Sequence, residues 1–217
     1  MDVRVVLTYT TPKGTETVFW SDEMPAAKAL LLAEDLEKTG RAKQLRFIDK
    51  YDSNWTMKEL KKQMEVIQTE PHEVTVYFDG GFDRETKRSG LGCVIYYEQN
   101  GKSWRLRKNA LVEELETNNE AEYAALHLAI QELLLLEVHH QAVTFSGDSQ
   151  VVINQLKGEW PCYEQVLNQW ADRIEDELDQ AGIDPEYVAI SRKHNQEADR
   201  LASQALKGVD VTSTREV

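Results

Sequence analysis

Apolar residues alternate with polar ones at the start of the chain. Val3, Val5, Leu7 and Tyr9 fall at every second position, a period that predicts a half-buried strand. Thr11-Pro12-Lys13-Gly14 follows with turn chemistry, since Pro fixes φ and Gly tolerates left-handed backbone. Residues 15–20 then read as the returning strand of a hairpin. The period next lengthens. Ala26, Leu30, Ala33 and Leu36 recur at helical spacing, with Ser21 or Asp22 as a cap, Pro25 near the first turn and Gly40 behind, so a helix is expected over about 25–38. Leu45-Arg46-Phe47-Ile48 is a short strand, and Met57, Leu60 and Met64 trace a second helix opening at Ser53 or Asn54. Pro71 argues against helix through the stretch 66–73, and a new β-rich run starts at Val74.

Beyond that break the pattern predicts strands at about 74–79, 90–97 and 103–110, then a long helix over 119–137. A strand at 142–147, helices at 149–157 and 163–181, a strand at 187–191 and a helix at 195–207 follow. Three strands and then alternating helices and strands imply an α/β class with a mixed sheet flanked by helices. The expected domains are a small β-β-α-β-α unit over 1–70 and a larger one over 73–207. The last ten residues, 208–217, carry no apolar period and are expected to fray.

The chain has 217 residues, 41% of them hydrophobic, enough for a sizeable core. No stretch approaches the roughly 18 apolar residues of a membrane span, and Met1-Asp2-Val3-Arg4 opens no signal peptide, so a cytoplasmic protein is expected. Cys93 and Cys162 form no zinc pattern and read as reduced thiols. Lys plus Arg is 25 against 38 Asp plus Glu, net −13. Residues 1–72 hold 11 basic and 12 acidic residues, so nearly all the excess lies in the second segment. A binder of nucleic acid phosphates usually shows a basic stripe. Any such partner here needs a local patch, a metal or another subunit.

Four carboxylates stand out against that background. Asp79 ends the apolar run Val74-Thr75-Val76-Tyr77-Phe78 and precedes Gly80-Gly81, two glycines that leave room for a ligand. An acid there must face a cleft or be paired, because burial alone is costly. Glu122 lies on the apolar side of the long helix, among Ala121, Ala125 and Leu126, behind the caps Thr117-Asn118-Asn119. Asp148 sits between the strand 142–147 and the next helix, where it also reads as an N-cap. Asp199 falls early in the last helix, where it also reads as a solvated acid. Taken together, two strand-end acids and two helical acids could meet at one sheet edge. Carboxylates sharing a small cleft cannot all stay ionised without cations, and hard divalent ions with oxygen ligands resolve the conflict, Mg²⁺ first among them.

These stretches, in this order, resemble type 1 ribonuclease H. The carriers are Val76-Tyr77-Phe78-Asp79-Gly80-Gly81, Thr117-Asn118-Asn119-Glu120-Ala121-Glu122, Asp148-Ser149-Gln150-Val151-Val152 and Asn195-Gln196-Glu197-Ala198-Asp199-Arg200-Leu201-Ala202, within about 73–207. The resemblance implies a five-stranded mixed sheet with its first three strands antiparallel. It implies an endonuclease cutting the RNA strand of RNA–DNA hybrids with two Mg²⁺ or Mn²⁺ ions, leaving 5′-phosphate and 3′-hydroxyl ends. Asp79, Glu122, Asp148 and Asp199 fall on the family's metal-ligand positions. Gly80, Gly81, Asn118, Asn119, Gln150, Arg192, Lys193 and Asn195 are the expected substrate-binding positions.

The sequence also departs from the family. The glycine-bearing loop with a catalytic histidine is missing, and Arg192-Lys193-His194 stands near its place, which makes His194 a candidate for catalysis or product release and Arg192 a candidate phosphate ligand. The basic helical protrusion that grips DNA is missing too, so this reads as a short form. The first segment lacks the glycine- and aromatic-rich pattern of the family's hybrid-binding module. It could bind substrate, another protein or a second copy of the chain. A nuclease of the same superfold acting on another duplex or a junction, and a non-catalytic binding protein, remain alternatives.

Overall fold

The hairpin expected at the start forms from β1 (Asp2–Thr10) and β2 (Glu16–Trp20), joined by a turn in which Gly14 adopts a φ of 85°. The computed structural model describes the backbone of residues 1–217 and all side chains except those of 66–68, which fall in the stretch expected to hold the domain boundary. The chain divides into two units, Met1–Thr69 and Glu70–Val217.

In the first unit β3 (Met24–Pro25) leads into α1 (Ala26–Lys38), and β4 (Ala42–Asp49) and β5 (Asn54–Trp55) precede α2 (Met57–Thr69). The antiparallel sheet runs β2-β1-β4-β5, with β3 also on β1. Val3, Val5 and Phe47 pack against Ala26, Ala29 and Ala33 of α1 and Leu60 of α2. The second helix starts later than expected because Asn54 and Trp55 pair with β4. A capping box then opens it: Thr56 Oγ1 accepts from the Glu59 N–H at 3.2 Å, and Glu59 Oε2 accepts from the Thr56 N–H at 2.8 Å. Buried Asp49 holds the intervening turn by accepting from the N–H groups of Tyr51 and Ser53 and from Trp55 Nε1, each at 2.9 Å.

The second unit begins with an antiparallel meander, β6 (His72–Asp83), β7 (Arg88–Gln99) and β8 (Lys102–Val112). Then come α3 (Asn118–Leu135), β9 (Ala142–Gly147), α4 (Gln150–Leu156), α5 (Gln165–Ala181) and β10 (Asp184–Ala189). A single 3₁₀ turn over Arg192–His194 leads into α6 (Gln196–Leu206), and the chain closes with β11 (Thr212–Glu216). The sheet order is β10-β9-β6-β7-β8-β11, with β9 parallel to both β6 and β10.

Side chains alternate across this sheet. Val76, Phe78, Leu91, Cys93 and Ile95 are buried on one face beneath α3, whose Ala125, Leu126, Ala129 and Ile130 are also buried. The opposite face of β7 carries Gly90 and Gly92, and α6 lies directly on them. A Cβ at Gly90 would stand 2.1 Å from Ala202 O, and one at Gly92 would stand 2.4 Å from Ala198 O. Two glycines at strand spacing thus set how closely α6 approaches the sheet.

Two expectations need correction. The tail 208–217 does not fray as a whole. Its β11 pairs antiparallel with β8, with Thr212 opposite Lys108 and Glu216 opposite Trp104, and adds a sixth strand to the expected five. Polar contacts hold it: Arg107 Nε donates to Ser213 Oγ at 3.1 Å, and Lys102 pairs with Glu216 at 2.7 Å. Such a strand carries no hydrophobic period. The strand expected at 187–191 spans Asp184–Ala189 instead, so Pro185 lies inside it; β10 is an edge strand, where a missing N–H is tolerated.

Candidate metal centre

Asp79 lies on β6, one residue past buried Phe78, and points away from the α3 core by the strand's period. Asp148 follows the end of β9, where a Cβ at Gly147 would stand 2.7 Å from the Phe78 ring. Ser149 caps α4 by accepting from the Val152 N–H at 3.5 Å. Glu122 reaches the same place from α3. Thr117 Oγ1 fixes the start of that helix by accepting from the Glu120 N–H at 3.1 Å. A Cβ at Gly80 would stand 2.1 Å from the Ala121 carbonyl carbon, so only glycine lets the helix backbone meet the strand. The Gly80 N–H donates to Glu122 Oε2 at 3.2 Å. As a result one carboxylate oxygen each from Asp79, Glu122 and Asp148 lies within 4.8 Å of the others.

The site is electrostatically strained without cations. Burial, then the charges of Asp148 and Asp199, push the Asp79 carboxyl up to about 7, with Arg192 opposing. Burial, then Asp79 and Asp148, push Glu122 up to about 9, with the Gly80 N–H and Arg192 opposing. Either these groups hold protons or cations replace the protons. The donors are all carboxylate oxygens, the set that hard divalent ions prefer, so the residues fit such an ion.

The remaining expected residues divide. Asp199 stands outside the three-acid set, and its Oδ1 accepts from Arg192 Nη2 at 2.5 Å. Arg192 is otherwise exposed. Lys193 and His194 are exposed, and the His194 ring meets Ser191 Oγ at 3.1 Å rather than an acid. Asn118 Oδ1 accepts from the Phe82 N–H at 3.4 Å, Asn119 is half-buried, and Gln150 is exposed in the first turn of α4. Gly81 retains space, with only Leu206 Cδ1 at 3.6 Å from an added Cβ. The room expected for a ligand at Gly80 is filled by α3. Asn195 was expected to bind substrate but is 1% exposed, with its amide turned to the protein interior. Sequence reasoning missed Gly90, Gly92 and Gly147; the Gly-Leu-Gly spacing inside a strand was the available signal for the first two.

The family described as "Reverse transcriptase-like" matches residues 77–205. RNase H1 from Halobacterium salinarum NRC-1 superposes with a TM-score of 0.53 at 27% identity, over 63% of this chain and 98% of that one. The chain belongs to the type 1 ribonuclease H-like family. LC11-RNase H1, solved in complex with an RNA/DNA hybrid, superposes on this ribonuclease H-like chain with a TM-score of 0.56 at 26% identity, covering 63% of the chain and 98% of the enzyme. YpeP of Bacillus subtilis (strain 168), described as uncharacterized, is 47% identical over 196 residues, 89% of this chain and 86% of YpeP. The match to YpeP is long enough to extend into the N-terminal unit, whereas the family match begins at residue 77. Within this ribonuclease H-like fold, the described residues include no helix between α4 and α5, which makes it a short form. No helix among them is long and apolar enough to cross a membrane.

Proposed function

We propose that the unit Glu70–Val217 is a divalent-cation-dependent endonuclease that hydrolyses the RNA strand of RNA–DNA hybrids, leaving 5′-phosphate and 3′-hydroxyl ends. The observation that carries this reading is the convergence of Asp79, Glu122 and Asp148 from three separate elements, in a chain of this family. The hybrid bound to LC11-RNase H1 supports the substrate class.

Asp79, Glu122 and Asp148 would hold Mg²⁺ or Mn²⁺, two ions with substrate present, and Asp199 would complete the second ion's ligands. Bound there, the cations supply charge neutralisation, water activation and stabilisation of the leaving oxygen. The chain itself does the placing. Asp79, Glu122 and Asp148 each bring one carboxylate oxygen within 4.8 Å of the others. Glu122 is held by the Gly80 N–H and would help sense the 2′-hydroxyl that distinguishes RNA from DNA. Arg192 sits at the mouth, with a guanidinium suited to a phosphate once Asp199 engages a cation. Asn118, Asn119 and Gln150 would contact the minor groove, and Gly81, Lys193 and His194 would contact substrate as well. The unit Met1–Thr69 would anchor substrate or mediate assembly.

The test is a cleavage panel at low salt with Mg²⁺ or Mn²⁺, using RNA–DNA hybrid, duplex RNA and duplex DNA. Cutting confined to the hybrid supports the proposal. Cutting of another duplex transfers the chemistry to a different substrate, and no cutting by folded protein marks a binding role.

A further inference from the structure

Asn195 touches the surroundings of three of the four acids, and nothing in the metal-site reading uses it. Its Nδ2 donates to the Phe78 carbonyl at 2.8 Å, immediately before Asp79, and to Asp148 Oδ1 at 3.2 Å. Its own carbonyl accepts from the Asp199 N–H at 3.1 Å, the first helical bond of α6. The residue is 1% exposed. Both partners of Nδ2 are acceptors, so the amide cannot be turned over without facing oxygen against oxygen. That leaves Oδ1 buried with no partner among the described residues, while Nδ2 is held beside Asp79 and on Asp148.

We infer that Asn195 is a positioning residue: its amide ties the β6 backbone at Phe78, next to Asp79, to the Asp148 carboxylate, while its backbone sets the start of the helix that carries Asp199. It acts through the acids and does not touch substrate. The inference rests on the proposed metal-dependent reading of the site. Losing an outer partner of a ligating carboxylate typically costs about 10–100-fold in metal affinity or activity.

The experiment compares the full-length wild type with Asn195→Ala and Asn195→Ser. Ser is short of both acceptors yet closer in polarity, and it keeps the test alive if Ala does not fold. Calorimetric titration with Mn²⁺ alone should show affinity weakened about tenfold or more. On a hybrid, kcat should fall by a similar factor while KM stays within about threefold. Unchanged Mn²⁺ affinity in a folded variant overturns the inference. So does a raised KM with kcat intact, which would make Asn195 a substrate contact. If the wild type takes up Mn²⁺ but cuts no hybrid, and the variants bind Mn²⁺ more weakly, the positioning role stands and the ribonuclease reading falls.

Discussion

Gly80 and Glu122 are joined by a backbone N–H to carboxylate bond of 3.2 Å across 42 positions of sequence. The bond exists because the strand residue has no side chain: a Cβ there would collide with the Ala121 and Glu122 backbone. Backbone cannot swing aside as a side-chain tip can. Gly80→Ala is therefore expected to destabilise the protein by about 3 kcal/mol, the upper end of overpacking costs, and to displace Glu122. Urea unfolding measures the first effect and loss of Mn²⁺ affinity the second.

The acids also set a pH dependence. Burial and mutual repulsion raise Asp79 to about 7 and Glu122 to about 9 in the folded state. Their ordinary values are about 3.9 and 4.3. Between those limits the folded protein keeps protons that the unfolded chain has released, so stability falls as pH rises. Without metal, the contribution of these two groups should be fully present below about pH 4, decline on account of both to about pH 7 and continue to decline to about pH 9 through Glu122. Unfolding in EDTA across this range checks it, and saturating Mg²⁺ should flatten the decline.

Replacing one acid should trade activity for stability. Asp79→Asn keeps the shape and removes a buried charge from the cluster. The metal-free variant is expected to be about 1–2 kcal/mol more stable than wild type at pH 8, while hydrolysis drops at least about 100-fold. Parallel melting and cleavage measurements decide this.

The C-terminal strand should matter in spite of its polar sequence. Asn109 Nδ2 donates to Leu201 O at 3.0 Å and Val209 O at 2.9 Å, and its Oδ1 accepts from the Val211 N–H at 2.7 Å. One buried side chain thus joins β8, α6 and the approach to β11. Asn109→Ala removes three hydrogen bonds of a buried side chain at about 1 kcal/mol each and should cost about 3 kcal/mol by chemical unfolding.

The sequence made legible whatever buries an apolar face. The alternation around Val76 and Phe78 and the apolar run of α3 placed the core strands and the helix that delivers Glu122. Motif order brought Asp79, Glu122 and Asp148 together as one candidate site. What remained hidden is held by polar bonds or by absent atoms. β11 has no buried apolar residue to mark it, and Pro185 masked the start of an edge strand. Gly80 read as space for a ligand because a single sequence does not show which backbone fills the gap. Asn195 read as a substrate contact because burial at a helix start has no signature in one residue.

If these carboxylates form one cation-dependent centre acting on RNA, its products identify it. The most direct measurement follows an RNA–DNA hybrid with each strand labelled separately, using wild type and Asp79→Asn, in Mg²⁺ or Mn²⁺ and in EDTA. The RNA strand alone should be cut, to 5′-phosphate and 3′-hydroxyl ends, only by wild type and only with metal. Cutting that survives EDTA or Asp79→Asn, or that falls on the DNA strand, would contradict it.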